Sequence, residues 1–174
     1  MDCTRNAIDI STVEFDLLNG SHEEVIRTFL VLKDCRALDS MYWDVRDKYH
    51  HDIVKFANTY TEDSPSKLCR IRSDTQILGF FTITNHRPQD SVEVGVFFFG
   101  RYRGGVLTKL VSRCALDMIR KLYKVPKIYA FTPWEAAYTL ALNCGMKEIS
   151  VLPGYYYGHD VHVLLDHKDV EQDE

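Results

Sequence analysis

Residues 13–18 (VEFDLL) alternate apolar and polar positions, the period of a half-buried strand, and Asn19-Gly20 then turns the chain. Ser21 followed by Glu24 is a capping-box spacing, so a helix is expected over 22–33 with Val25, Phe29 and Leu32 on its buried side. Tyr42, Val45, Tyr49, Ile53 and Phe56 recur near helical spacing and predict a second helical region over 41–60, followed by a loop over 61–66. From Lys67 the period falls to two. Strands are predicted at 67–72, 76–84 and 91–99, joined by a tight turn at Asp74-Thr75 and a turn over 85–90 (NHRPQD), which together form an antiparallel meander.

The helical period returns over 105–123. Leu107, Leu110, Val111, Cys114, Met118 and Leu122 form the expected apolar stripe, and Lys109, Arg113, Arg120, Lys121 and Lys124 read as a solvated basic face. Pro126 ends that helix and residues 127–131 (KIYAF) form a strand. Pro133 at a first turn opens another helix with Gly145 as its C-terminal cap. Strands at 147–152 and 161–165, with a Pro153-Gly154 turn between them, complete the order. The fold class is therefore α+β, a mixed and mostly antiparallel central sheet with helices on both faces. Strand 91–99, helix 105–123 and strand 127–131 make a βαβ crossover, so those two strands should be parallel neighbours.

A chain of 174 residues suits one domain, here with a core over about 13–165 and short polar tails. The net charge of -4 argues against a general nucleic-acid binder. Cys3, Cys35, Cys69, Cys114 and Cys144 are scattered without a C-x-x-C pair, which reads as reduced thiols in a cytoplasmic protein and not as a zinc site. His50-His51 is too isolated for a metal site, and His159 and His162 around Asp160 lack a further ligand. The start MDCTRNAIDIS has no apolar core of a signal peptide, and no run approaches the roughly 20 apolar residues of a membrane span.

The segment with most functional content is FFFGRYRGGVLTKLV, residues 97–111. Two readings compete for its Gly-Gly corner. It is a strand-to-helix turn that needs flexible residues, or it is a cradle whose backbone amides and helix N-terminus hold a phosphate. The element order and this corner resemble the GNAT superfamily of acyl-CoA-dependent N-acyltransferases. That family carries a Q/R-x-x-G-x-G/A pattern after its fourth strand, around the pyrophosphate of coenzyme A. In one register Arg103 opens the pattern, with Val106 and Thr108 at its small-residue positions, and Val96 and Phe98 at the strand positions that pair with pantetheine. In the other, Arg101 opens it and Gly104 matches. In both registers a branched Val106 replaces a small residue and narrows the approach of phosphate to backbone. Thr108 offers a hydroxyl to a phosphate oxygen.

The resemblance implies acetyl-CoA as acyl donor, a primary amine as acceptor, and a pyrophosphate site made by Arg103, Gly104, Gly105, Val106 and Thr108. It gives Glu93 the role of base toward the amine, against the alternative of a solvated strand-edge carboxylate. Residues 132–148 resemble the family's N-x-x-A-x-x-x-Y-x-x-x-G-F helix through Ala137 and Gly145, with Trp134 in place of Asn and Met146 in place of Phe. Ala141 falls where the family has the tyrosine that protonates the departing thiolate, and Ala has no proton to give. Among Tyr155, Tyr156 and Tyr157, Tyr156 is the candidate replacement acid, with packing or an acceptor-site wall as the alternative. Cys144, near the acyl end in the family layout, reads as a buried inert thiol. The eroded corner, Ala141 and the ending GMKEISVLPGYYYGHD also resemble, more weakly, the GNAT-like proteins of tailed bacteriophages. That likeness implies a non-catalytic scaffold that acts in head assembly or binds a host or viral protein.

Overall fold

The computed structural model describes residues 8, 10–18, 21–34, 52–74 and 76–168. The Asn19-Gly20 turn, residue 75 of the expected tight turn, His50-His51, Cys3, Cys35 and the first half of the 41–60 region lie outside them.

Seven strands form one sheet: β1 (Val13–Leu17), β2 (Lys67–Ser73), β3 (Gln76–Arg87), β4 (Ser91–Phe98), β5 (Lys127–Thr132), β6 (Lys147–Tyr156) and β7 (His159–His167). Their order is β1-β2-β3-β4-β5-β7-β6. All neighbours are antiparallel except β4 and β5, which run parallel as the crossover rule requires.

Four helices are described: α1 (His22–Asp34), α2 (Ile53–Thr59), α3 (Gly105–Tyr123) and α4 (Glu135–Asn143). The capping box at α1 is formed, with the Glu24 amide donating to Ser21 Oγ at 3.4 Å. Asp52 caps α2 by accepting from the Val54 and Lys55 amides. The helices cover both faces of the sheet. Val25, Phe29 and Leu32 of α1 and Phe56 of α2 bury against Leu68, Phe80 and Phe97. On the other face Val111, Ala115 and Ile119 of α3 bury against Ile71, Ile83, Val92, Phe98 and Ile128. Phe97 and Phe98 thus enter opposite cores, as strand alternation demands.

Three boundaries differ from the sequence reading. β3 continues to Arg87, so the turn before β4 is confined to 88–90. Pro133 lies just before α4, whose first turn starts after Trp134. Pro153-Gly154 does not turn the chain. β6 runs through it with a register shift between Leu152 and Tyr156, and the turn is made by Tyr157-Gly158 at φ 47° and 85°. Two consecutive positive φ values suit a two-residue hairpin, whereas Pro, lacking an N–H, suits an irregular strand position. Asp160 holds that irregularity by accepting from the Gly154 amide at 2.9 Å.

The buried face of α3 is also turned by about one residue from the expected stripe. Thr108, Val111, Ser112, Ala115, Leu116, Ile119 and Arg120 are buried, while Leu110 and Leu122 are exposed. The small side chains Thr108, Ser112 and Ala115 let the helix lie close to the sheet. Arg120, expected on a solvated face, is buried and donates to Asp166 on β7 at 2.7 Å.

Candidate functional site

β4 and β5 pair only at Ser91–Lys127, Val92–Ile128 and Glu93–Tyr129. Beyond Glu93 the two parallel strands separate while β4 stays paired with β3 up to Phe98. Backbone groups alternate sides along a strand. The Phe99 amide donates to Leu78 on the β3 side at 3.0 Å, so the peptide groups of Val94, Val96 and Phe98 point toward the gap. The Phe98 carbonyl is taken by Arg103 Nε at 2.9 Å, which leaves the Val94 and Val96 backbone along the opening.

At the end of β4 the chain makes a short 3-10 turn, Gly100–Tyr102, and enters α3 through Gly104 at φ 80° and Gly105 at φ 77°. Both glycines occupy the left-handed region, where a Cβ is strained. A Cβ at either would nevertheless meet nothing within 4 Å, so the corner is open on its outer side. No side chain caps α3 and its first turn carries no acidic residue. The amides of Gly105, Val106 and Leu107 precede the first intrahelical bond and face the positive end of the helix dipole.

Around these amides side-chain hydrogen bonds tie the corner together. Thr108 Oγ lies 2.7 Å from the Tyr102 carbonyl and 2.8 Å from the Gly104 carbonyl, and its side chain is buried. Its hydroxyl therefore stitches the turn and is not turned outward to a phosphate, as the sequence suggested. The Tyr102 hydroxyl lies 2.5 Å from Gln76 Oε1. The Arg103 guanidinium sits 5.0 Å from the centroid of the Phe97 ring. Val106 is 73% exposed, so its branched side chain does not fill the corner.

Glu93 stands at the point where the strands part. Val92, Val94 and Phe98 face α3, so Glu93 faces the α1/α2 side, together with Tyr129 and Phe131 of β5. Its Oε2 accepts from Asn85 Nδ2 at 2.6 Å. An open depression of about 590 Å³ lies here, lined by Asn85, Arg87, Ser91, Glu93, Tyr129 and Phe131 among others. On its rim Asp90 pairs with Lys127 at 2.9 Å; that hydrogen bond and one from Ser91 hold the Asp90 carboxyl below its usual range.

Tyr156 belongs to a separate aromatic group. Its ring lies 5.8 Å from Trp134 and 4.8 Å from Tyr157. Tyr156 pairs with His159, three residues beyond the His162–Thr132 pair, and Glu93 pairs with Tyr129, three residues before Thr132. At roughly 3.3 Å per residue the two candidate residues stand about 20 Å apart along the strands, so they are not brought together. Cys144 is half-buried, its Sγ 3.7 Å from the Lys109 carbonyl, and burial raises its pKa, as expected of an inert thiol.

One cluster escaped the sequence reading. Tyr138 of α4 stacks on His162 with ring centroids 4.3 Å apart, and His162 Nδ1 lies 2.6 Å from Glu148 Oε2. Partial burial and then the Glu148 charge raise the Tyr138 pKa. These residues meet only where α4 lies against the β6–β7 pair, a placement for which the sequence holds no signal.

No family model and no curated protein matches this sequence. Solved structures do. Spermidine N-acetyltransferase from Vibrio cholerae, in complex with CoA and spermine, superposes with a TM-score of 0.74 at 16% identity, covering 90% of this chain and 96% of that one. The N-acetyltransferase PseH of Campylobacter jejuni gives a TM-score of 0.63 at 14% identity, with coverage of 91% and 99%. The chain has the GNAT N-acetyltransferase fold. Within that fold the parting of β4 from β5 and the open N-terminus of α3 are successive features of one segment, residues 94–107.

Proposed function

We propose that this GNAT-fold chain transfers an acetyl group from acetyl-CoA to a primary amine by direct attack. The observation that carries the reading is the junction of an uncapped, open α3 N-terminus with a strand edge released from β5. The amides of Gly105, Val106 and Leu107 would hold the pyrophosphate, with the helix dipole favouring the anion. Gly104 and Arg103 shape the approach, and Thr108 keeps the turn in place. The backbone of Val96, with that of Val94, would pair with the pantetheine amide groups along the gap; Phe98 contributes through its carbonyl bond to Arg103. The residues fit the group: no carboxylate competes for the amides, and neither glycine has a neighbour in its way.

Bound acetyl-CoA supplies the acetyl thioester. An outward backbone N–H of Val94 or Val96 then serves as a fixed donor to the carbonyl oxygen. Glu93, on the same strand at the point where the gap begins, takes up one proton of the incoming ammonium, directly or through water. The sulfur departs as the thiolate and takes up, through water, the second proton that the nitrogen loses as the amide forms, so no side-chain acid is required. Tyr156 is then an aromatic packing residue against Trp134. The CoA-bound neighbour supports the donor assignment by likeness of fold.

Thiol release from acetyl-CoA in the presence of primary amines tests the reading. Glu93→Gln is expected to lower kcat/KM by about 10²-fold with CoA affinity unchanged. Tyr156→Phe is expected to change kcat less than about twofold, and a much larger loss would make Tyr156 the acid. Absence of amine-dependent thiol release across a broad amine panel contradicts the proposal.

A further inference from the structure

Arg70, Arg72, Arg120, Lys127 and Lys168 each meet a carboxylate. Two cations on the first half of α3 are placed differently. Lys109 and Arg113 follow Gly105 by one and two helical turns, about 6 and 12 Å along the axis. Arg113 Nη2 donates to the Asn143 carbonyl, at the end of α4, at 3.0 Å, which fixes the guanidinium without neutralising it. The Lys109 carbonyl lies 3.7 Å from Cys144 Sγ, so this side of α3 faces the same end of α4. Burial raises the Cys144 pKa, and the Arg113 charge and then the Lys109 charge act against that rise, so both cations bear on one place. The carboxylates nearby are engaged elsewhere: Asp117 pairs with Lys168, Asp166 with Arg120 and Glu148 with His162. Glu135 stands in the first turn of α4, at its other end. Among the described residues, then, no carboxylate answers Lys109 or Arg113.

Exposed apolar side chains run beside these cations. Val106 and Leu110 are each three residues before one of them, so Val106 neighbours Lys109 and Leu110 neighbours Arg113 on the helix surface. Side chains on a helix lean toward its N-terminus, so the strip reaches back toward the open Gly104-Gly105 corner. A phosphate between the two cations would lie about one helical turn, roughly 5 Å, beyond one held by the Gly105–Leu107 amides. A ribose that bears phosphates on both its 5′ and 3′ oxygens spans such a gap, and its purine offers a flat face to an apolar floor. We infer that the 106–113 flank of α3 holds the adenosine 3′-phosphate end of the acyl donor, the 3′-phosphate between Lys109 and Arg113 and the purine over Val106 and Leu110. The inference rests on the acyl-transfer reading above and narrows its donor. The site takes a thioester of a 3′-phosphorylated nucleotide, and not a phosphopantetheine thioester carried on a protein, which has neither the purine nor the second phosphate.

Calorimetric titration of the full chain with CoA and with 3′-dephospho-CoA separates this inference from the reading beneath it. The wild type is expected to bind CoA about tenfold or more tightly than 3′-dephospho-CoA. Lys109→Ala and Arg113→Ala should each lower that ratio by about threefold, because each removes one charge from an exposed pair with the 3′-phosphate. Lys121→Ala, two turns beyond Arg113 on the same helix, should leave the ratio unchanged. Adenosine 3′,5′-bisphosphate alone should displace CoA, and inorganic phosphate at the same concentration should not. Equal affinity of the wild type for CoA and 3′-dephospho-CoA would overturn the inference while leaving acyl transfer standing, and that comparison needs no variant to fold. A ratio that neither Lys109→Ala nor Arg113→Ala lowers, or that Lys121→Ala lowers as much, would overturn it too. No binding of either ligand would overturn both the inference and the reading on which it rests.

Discussion

Cys69 is fully buried on the α3 side of the sheet, and burial, with the nearby Asp16 charge second, pushes its thiol up from 9.0 to about 12. The folded state thus binds a proton that the unfolded chain releases above pH 9. Stability from this group is present below that pH and is lost as pH rises toward 12, by roughly 1.4 kcal/mol per unit. Urea unfolding between pH 8 and 11 should show this decline, and Cys69→Ala should flatten it. Cys114, exposed on α3, should react with a thiol reagent in the folded protein while Cys69 does not. At this scale the sequence revealed residue types but not their surroundings. Ala141 and Val106 were legible as departures from a family pattern, yet only the structure shows that Val106 points outward and that Thr108 is spent on the turn.

The elements that position the gap depend on two close approaches between β3 and β4. A Cβ at Gly79 would lie 2.1 Å from the Phe97 carbonyl oxygen, and backbone cannot rotate aside. A Cβ at Gly95 would meet only the Thr82 hydroxyl, at 2.7 Å. Gly79→Ala is therefore expected to destabilise by about 3 kcal/mol or more in denaturant unfolding, and Gly95→Ala by about 1 kcal/mol. Adding Thr82→Ala should recover part of the Gly95→Ala loss but none of the Gly79→Ala loss. Strands, helices and the parallel β4–β5 pair were readable because period and crossover handedness are local or topological rules. The face of α3 was not, since apolar residues surround much of that helix and the choice fell to the small residues that fit the sheet. The Pro-Gly signal at 153–154 misled for a similar reason: a turn dipeptide also serves a strand irregularity when a neighbour such as Asp160 satisfies it.

Across the whole molecule, Arg120 and Asp166 join α3 to β7 through the core, with side-chain exposures of 10% and 9%. Removing one partner leaves a buried charge. Asp166→Asn or Arg120→Met alone should cost about 3–5 kcal/mol, and the pair Arg120→Met/Asp166→Leu should recover most of it. Neither residue's burial was legible, because a lone arginine on a basic helix reads as solvated until the partner strand is placed. The same assembly of distant pieces sets the functional claim. The corner at 100–107, the open edge of β4 and Glu93 become one site only when β5 leaves β4 after Tyr129.

The central claim is that the α3 N-terminus binds the pyrophosphate of CoA, and calorimetric titration of CoA into the wild type and Val106→Asp tests it most directly. An aspartate in the first turn of a helix favours the dipole by about 0.3–1 kcal/mol, so the variant's melting temperature should hold or rise. The same charge repels a phosphate, so CoA affinity should fall at least tenfold. No heat of binding to the wild type at millimolar CoA, or equal affinity in the variant, would contradict the claim.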